Sequence, residues 1–249
     1  MTQISKIEWT DATWNPTIGC TKISPGCKHC YAETMAKRCQ AMGVPGYKEN
    51  GFSLTLMHDR LDAPLHRRTP TVYFVNSMSD LFHEGVPNNY ITKVMNVARQ
   101  CPQHVFQVLT KRADRLPVYF RDHSVPKNVW LGVSVEDKKY GVPRIELLRS
   151  VCAKTRFLSV EPLLEDVGEL DLTDIHWVIV GGESGHQSRP MKPDWALNVL
   201  RQCQGQGVPF FFKQWGQFGE DGVKRNKKAN GRLLLGREWN EMPHDTKLI

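Results

Sequence analysis

Three cysteines lie close together near the start of the chain. Six residues separate Cys20 from Cys27 and two separate Cys27 from Cys30, with a Pro-Gly pair inside the longer interval. Thiolates are ligands of zinc and of iron–sulfur clusters, so this spacing predicts a metal centre on the loop. The count of three matters, because a structural zinc site takes four protein ligands.

Two kinds of metal site are open at this point. Zinc needs a fourth ligand, and Cys39 lies about 13 Å from Cys30 along a predicted helix. His29 sits between two of the thiols, while His58 or His66 can reach back from a later segment and keep zinc as an alternative. A [4Fe–4S] cluster on three cysteines needs no fourth side chain, because its fourth iron is left open for a small molecule. The cysteine count therefore favours the cluster.

The elements that position these cysteines follow an alternating pattern. Short, nearly continuous apolar runs predict strands buried on both faces, as in a parallel sheet, and helical patterns separate most of them. An earlier strand is predicted around residues 12–19, just before the cysteines, with a helix over residues 30–43. The later apolar runs cover residues 71–76, 104–110, 128–134, 155–160, 176–182 and 208–213. This pattern predicts an α/β fold, a partial (βα)6-type barrel with mostly parallel strands and the cysteine loop after the first strand.

The remaining segments fit around that barrel. We predict the partial barrel over residues 1–215, with a loop-rich insertion at about 44–70 and a hairpin or loop over 162–175. Residues 216–249 are predicted to form a basic C-terminal extension, since the chain carries a net charge of +7 with a cluster of cations there. Such a patch attracts phosphates, although charge alone is more typical of a solvated surface.

Aromatic residues near both ends of the barrel have two interpretations. They can stack on nucleic-acid bases beside the basic extension, or they can plug and close the barrel. We favour the second interpretation for Trp9, Trp14, Trp215 and Phe218.

Composition limits the class of protein. Hydrophobic residues make up 40% and charged residues 24% of the chain, which is typical of a globular protein with a core. The sequence has no apolar run long enough for a membrane span and no apolar signal core at its start, so we expect a cytoplasmic protein without a membrane partner. The unevenly spread cysteines do not suggest a disulfide framework, and Cys101, Cys152 and Cys203 are predicted to be buried thiols.

Polar side chains follow each predicted strand. Because parallel strands of a barrel end at one face, these side chains and the cysteine loop are expected to meet at one mouth. Some of them can simply cap the next helix, and Asp80 is the clearest case. The set comprises Ser77, Asp80, Lys111, Arg112, Ser134, Glu136, Glu161, Glu183 and Lys213.

A three-cysteine loop after the first strand of a parallel barrel resembles the radical S-adenosylmethionine superfamily. The usual loop there has three and then two residues between its cysteines, whereas this loop has six and then two. The stretches IEWTDATWNPTIGC and CxxCYAE resemble a phage- and prophage-encoded family of uncharacterised proteins with this three-cysteine motif. The resemblance covers most of the chain. It implies a [4Fe–4S] cluster on Cys20, Cys27 and Cys30, with S-adenosylmethionine on the open iron.

The resemblance also implies which side chains meet S-adenosylmethionine. The superfamily often has Gly-Gly-Glu after its second strand, but here that position is residues 76–80, and the Gly-Gly-Glu of residues 181–183 follows a much later strand. The implied contacts are His29 for adenine, Ser77 or Asp80 for the methionine amino group, Lys111 or Arg112 for the methionine carboxylate, and Ser134 and Glu136 for ribose.

The implied activity is generation of a 5′-deoxyadenosyl radical that abstracts hydrogen from a substrate, with an electron donor protein as a partner. Glu161, Glu183, Arg189 and Lys213 are the candidates for substrate contact. Nucleic acid or a nucleotide is the expected substrate, from the basic extension and the family resemblance. Two alternatives are a zinc-stabilised nucleic-acid-binding protein without catalysis and a barrel hydrolase that uses Glu161 and Glu183.

Overall fold

Parallel strands dominate the computed structural model, which describes residues 3–5 and 7–243. One sheet has the order β1-β2-β5-β6-β7-β8-β9-β10, in which only β1 runs antiparallel to its neighbour and the other seven strands form a curled half-barrel. The strands are β1 Gln3–Ile4, β2 Ala12–Trp14, β3 Thr17–Ile18, β4 Thr55–Leu56, β5 Val72–Val75, β6 Val105–Thr110, β7 Val129–Ser134, β8 Thr155–Val160, β9 Trp177–Gly181 and β10 Phe210–Gln214. Strands β3 and β4 form a separate antiparallel pair. The predicted partial parallel barrel is confirmed.

Helices connect most of the parallel strands. They are α1 Tyr31–Ala41, α2 Tyr47–Asn50, α3 Asn88–Gln100, α4 Arg115–Phe120, α5 Arg144–Arg149, α6 Pro193–Gln206 and α7 Lys227–Asn230. Pro117 lies in the first turn of α4, where its missing N–H costs no helical hydrogen bond. The segment 162–175 is a loop that contains neither helix nor strand, in agreement with one of its two predicted forms.

The two faces of the sheet are buried in different ways. Successive side chains of a strand point to opposite faces, so one set meets the helices and the other fills the concave side of the half-barrel. The concave set is aromatic and includes Trp9, Trp130, Phe157, Trp177 and Phe211. Trp9 therefore plugs the half-barrel, as favoured from the sequence, because large rings fill the space between strongly curved strands.

The other aromatic residues near the ends of the barrel differ in their packing. Trp14 and Trp215 belong to the core on the helix side of the sheet. Phe218 is half-buried, with the ammonium of Lys224 5.7 Å from its ring centroid. Trp239, from the C-terminal part, packs edge-to-face on Phe210 of β10.

The segment 44–70 and the isolated cysteines differ in how they are packed. Within residues 44–70, Tyr47 and Met57 form a small core with Ile18 and with Ala36 of α1, so this segment supports the helix that follows the cysteine loop. Cys101 and Cys203 are buried as predicted. The prediction for Cys152 was wrong: its side chain is exposed, because α5 ends at Arg149 and Cys152 lies in the connection to β8.

Among the described residues, the helices are too short or too polar to cross a bilayer.

Candidate active site

The cysteine loop, residues 20–30, lies across the face where the parallel strands end. It leaves β3 and enters α1, whose first residue, Tyr31, donates its hydroxyl hydrogen bond to the carbonyl of Ser77 after β5. The loop also contacts side chains that follow β6, β7 and β9. The structure thus brings the three cysteines and the polar strand ends to one mouth.

The contact after β6 is made by Arg112, which is only 5% exposed. Its Nη1 donates to the Sγ of Cys20 at 3.5 Å, and its Nη2 donates to the carbonyl and hydroxyl of Thr21 at 3.0 and 2.8 Å. On its other side the guanidinium contacts Asp80 at 3.3 Å and Glu84 at 2.7 Å. One buried cation therefore ties the first cysteine to the end of β6.

Asp80 is almost fully committed to neighbouring protein groups. Besides Arg112, its carboxylate accepts hydrogen bonds from the Thr110 hydroxyl at 2.7 Å and from the backbone amides of Phe82 and Lys111 at 2.9 and 3.1 Å. Four donors on two oxygens fix the strand end and orient Arg112. Ser77, the other residue predicted for this position, donates its hydroxyl hydrogen bond to the side chain of Asn15 at 3.1 Å.

Glu136, after β7, lies directly beneath the cysteine loop. It is fully buried and contacts Arg144 at 2.6 Å and the hydroxyl of Ser24. A Cβ on Gly26 would fall 2.9 Å from the Glu136 side chain, so only glycine lets the loop pass this close. Burial by itself raises the pKa of Glu136, but the charges of Lys111 and Arg144 outweigh it and hold the pKa below its usual value.

Lys111 and Ser134 lie between Arg112 and Glu136, the two residues that contact the cysteine loop from β6 and β7. The Lys111 ammonium donates to the hydroxyl of Ser134, the last residue of β7, at 3.0 Å. Lys111 is half-buried and Ser134 is buried. The residues predicted to meet S-adenosylmethionine at β6 and β7 are therefore neighbours in space.

Glu183, after β9, is held by Arg189. The Arg189 backbone amide and Nε donate to Glu183 Oε2 at 2.8 and 2.9 Å, and Nη2 donates to Oε1 at 2.5 Å. The same Nη2 donates to the carbonyl of Pro25 at 2.9 Å. This pair thus anchors the middle of the cysteine loop, and the Glu183 carboxylate is already bonded to three donors.

Glu161 and Lys213 form a pair of a different kind. The Lys213 ammonium lies 2.8 and 2.9 Å from the two Glu161 oxygens, and the two side chains are 18% and 17% exposed. A β-bulge between Phe212 and Gln214 includes Lys213, and the Glu161 carboxyl carbon lies 3.2 Å from where Gly181 would carry a Cβ. Within the described part of the chain, no other hydrogen bond reaches the charged end of either side chain.

The three thiols share the loop without converging on one point. Cys20, Cys27, Cys30 and His29 are all half-buried, and the Cys27 sulfur lies 3.8 Å from the Ser24 hydroxyl. Burial first, and then Asp80, raises the pKa of Cys20 to about 11, with Arg112 opposing the shift. Among the residues that the structure describes, no three His, Cys, Asp or Glu side chains are grouped to hold a single metal ion.

The donor set fits an iron–sulfur cluster in its chemistry. Each thiolate of such a cluster binds a different iron, so the three sulfurs need not meet at one point. The cations Arg112 and Lys22 lie beside them, and the pKa of Lys22 is raised by Glu33 first and also by Cys27 and Cys30. Positive charge of this kind offsets the negative charge of bound thiolates.

The other side chains considered as zinc ligands have contacts elsewhere. Cys39 packs against the small core around Ile18. The ring of His58 lies edge-to-face on Tyr90, with centroids 5.1 Å apart, and His66 contacts Asp62 at 3.2 Å.

Sequence reasoning missed three charged residues of this site, Arg144, Glu84 and Lys22. Arg144 and Glu84 do not follow the end of a strand directly, and each gains its role only by contacting a distant partner. Arg144 lies at the start of α5 and Glu136 just after β7, so the loop between them breaks any helical or strand periodicity that could relate the two.

Residues 4–243 match the family described as "Protein of unknown function (DUF5131)". The chain belongs to this family. A comparison with curated proteins gives no significant match for this DUF5131 chain.

The fold of this DUF5131 chain is similar to that of spore photoproduct lyase. A point mutant of that enzyme has a TM-score of 0.51 at 14% identity, covering 75% of this chain and 60% of the lyase chain. Another mutant, with a dinucleoside spore photoproduct, has a TM-score of 0.50 at 12% identity and coverages of 81% and 63%. The chain thus spans about three fifths of the lyase structures, and the likeness concerns the fold alone.

Proposed function

We propose that this protein is a radical S-adenosylmethionine enzyme that binds a [4Fe–4S] cluster through Cys20, Cys27 and Cys30. The observation that carries the proposal is the cysteine loop, which lies across the open end of a parallel half-barrel and is anchored to the ends of β5, β6, β7 and β9. The fold likeness to spore photoproduct lyase, itself an enzyme of the radical S-adenosylmethionine type, supports it.

The cluster with S-adenosylmethionine, once bound, supplies a 5′-deoxyadenosyl radical that removes hydrogen from a substrate. The protein's own part is to hold three irons through its thiolates and to leave the fourth free. An electron donor protein is the partner that this chemistry requires.

Among the side chains at the mouth, Lys111 is our choice for the methionine carboxylate. Arg112 has the same charge, but its guanidinium is already bonded to Cys20, Asp80, Glu84 and Thr21. Among the described residues, the Lys111 ammonium makes one hydrogen bond, to Ser134, and keeps protons for a ligand.

The other contacts with S-adenosylmethionine remain as inferred from the family resemblance. Ser77 is our choice for the methionine amino group, because Asp80 is occupied by four donors. Ser134 is assigned to ribose and His29 to adenine, whereas Glu136 is fully buried and bonded to Arg144 and Ser24 and acts by holding the cysteine loop. In this scheme Asp80 acts by orienting Arg112.

The substrate is proposed to meet Glu161 and Lys213. This pair offers carboxylate lone pairs and an ammonium proton at the mouth, whereas Glu183 is occupied by Arg189. Nucleic acid or a nucleotide is the proposed substrate class, supported by the cations of residues 223–232 and by the dinucleoside bound to a lyase of similar fold. In this scheme Glu183 and Arg189 act by holding the cysteine loop.

Metal analysis after anaerobic reconstitution tests the proposal first. We expect about four irons and four sulfides per chain with a brown chromophore, and 5′-deoxyadenosine after addition of dithionite and S-adenosylmethionine. One zinc per chain without colour would instead favour a zinc-stabilised nucleic-acid-binding protein. Hydrolysis that needs Glu161 but no S-adenosylmethionine would favour the barrel hydrolase. A fully loaded cluster that yields no 5′-deoxyadenosine would refute the radical function.

A further inference from the structure

The three cysteines have unequal surroundings, and the difference lies in Arg112. The guanidinium of Arg112 is buried and donates directly to the sulfur of Cys20. Lys22, a cation that interacts with Cys27 and Cys30, has a side chain that is 48% exposed and is paired with Glu33 at 2.8 Å. Water screens that second charge much more than the first.

The orientation of Arg112 is fixed from several directions. Nε is held by Glu84, Nη1 is shared between Asp80 and Cys20, and Nη2 is bound to Thr21. The planar guanidinium can satisfy all these acceptors at once, which an ammonium cannot. The side chain therefore does not need to reorganise to donate to the sulfur.

Two acids lie behind this donor. Asp80 contacts the guanidinium of Arg112 at 3.3 Å, and Glu84 lies at the exposed edge of the same network. With Arg112 present, the sulfur meets an N–H donor and a positive charge. Without it, the sulfur would meet the negative charge of Asp80.

We propose that Arg112 is a positioning residue that raises the reduction potential of the cluster through its hydrogen bond to Cys20. The inference rests on the proposed function, because it concerns the group held by the three thiols. Hydrogen bonds and positive charge at a ligand sulfur favour the reduced cluster, which carries one more negative charge. The effect is local to one corner of the cluster, since only Cys20 receives this donor among the described contacts.

The experiment is a redox titration of the reconstituted full-length protein, monitored by electron paramagnetic resonance without S-adenosylmethionine. We compare the wild type with Arg112→Gln, Arg112→Lys and Arg115→Gln. Arg115 is the matched control, because it also sits after β6 but donates to the carbonyls of Phe82 and Val86 rather than to a sulfur. Iron and sulfide contents are measured on every sample, and circular dichroism checks folding.

For Arg112→Gln we expect the ratio of reduced to oxidised cluster at the wild-type midpoint potential to fall about tenfold. For a one-electron couple this equals a fall in the midpoint potential of about 59 mV. For Arg112→Lys we expect a smaller fall in the same direction, and for Arg115→Gln no change. The inference is overturned if Arg112→Gln carries a full cluster at the wild-type midpoint. If Arg112→Gln does not load, an unchanged midpoint in loaded Arg112→Lys overturns it equally.

The outcomes also separate this inference from the proposed function. A wild-type chain that holds no four-iron cluster refutes the function itself. A wild-type chain that loads and cleaves S-adenosylmethionine, with Arg112 variants at the wild-type potential, refutes only the role of Arg112.

Discussion

Two kinds of charged pair at the barrel mouth use the same types of side chain in different ways. Beneath the cysteine loop, Glu136 and Glu183 are buried and bonded to arginines, and both pairs also contact the loop. Glu161, after β8, and Lys213, on β10, are instead partly exposed and bonded to each other. Acids that end neighbouring strands therefore cannot be given one role, because the partner of each acid decides whether the pair also contacts the cysteine loop.

The largest expected effect concerns the loop itself. Cys27→Ala should abolish the brown chromophore, because it removes one of three iron ligands, whereas Cys152→Ala should retain it. Cys152 is exposed and lies outside the mouth, so it is a matched control for loss of a thiol. Absorbance and iron content after anaerobic reconstitution measure the effect. Equal loss in both variants would contradict the assignment of the ligands.

Substitution in the Glu161–Lys213 pair should affect chemistry more than folding. Glu161→Gln is expected to lower turnover of a nucleic-acid or nucleotide substrate about a hundredfold, since a misplaced substrate costs a factor of this size. Formation of 5′-deoxyadenosine without substrate should continue. The control is Glu165→Gln, an exposed acid that accepts from the backbone amide of Lys138. Loss of the cluster in Glu161→Gln would instead mean that the Glu161–Lys213 pair also holds the cysteine loop.

Stability provides the converse test of the comparison. Glu136→Ala leaves Arg144 buried without its carboxylate, which should lower the free energy of unfolding by about 3 kcal/mol. For Glu161→Gln, whose pair is partly solvated, we expect a loss below about 1 kcal/mol. Urea denaturation of the cluster-free proteins measures both values. Similar losses of stability in the two variants would remove the distinction between the Glu136–Arg144 pair and the Glu161–Lys213 pair.

The smallest expected effect lies in the C-terminal extension. Lys228 is exposed on α7, whereas Arg225 is paired with Asp221 at 2.5 Å. If the extension binds phosphates, Lys228→Ala should make the plot of log binding constant against log salt concentration less steep, by about one unit of slope. Arg225→Ala should change the slope less. Fluorescence anisotropy with a labelled oligonucleotide at several salt concentrations measures both slopes, and an unchanged slope in Lys228→Ala would argue against this surface.

Much of the fold could be predicted from the sequence because its determinants are local. Buried parallel strands such as Val129–Ser134 and Trp177–Gly181 are nearly continuous apolar runs, and helices between the strands carry their own periodicity. The cysteine trio was equally visible, since thiols are few and their spacing is short. Polar residues after each strand then indicated one mouth, because all parallel strands end on the same side.

Only the tertiary structure decided which partner each arginine meets. Arg144 contacts the carboxylate of Glu136, Arg189 the carbonyl of Pro25, and Arg112 the sulfur of Cys20. These contacts depend on the order of the strands and on the path of the cysteine loop. No short-range pattern encodes a contact between residues 112 and 20 or between 213 and 161. Burial of Cys152 was mispredicted for the same reason, since the end of a helix and the direction of the next loop depend on packing. The sequence by itself determined the metal ligands that we propose and the barrel that presents them, whereas long-range packing decided which acids are bonded to arginines that hold the cysteine loop and which acid is bonded to Lys213.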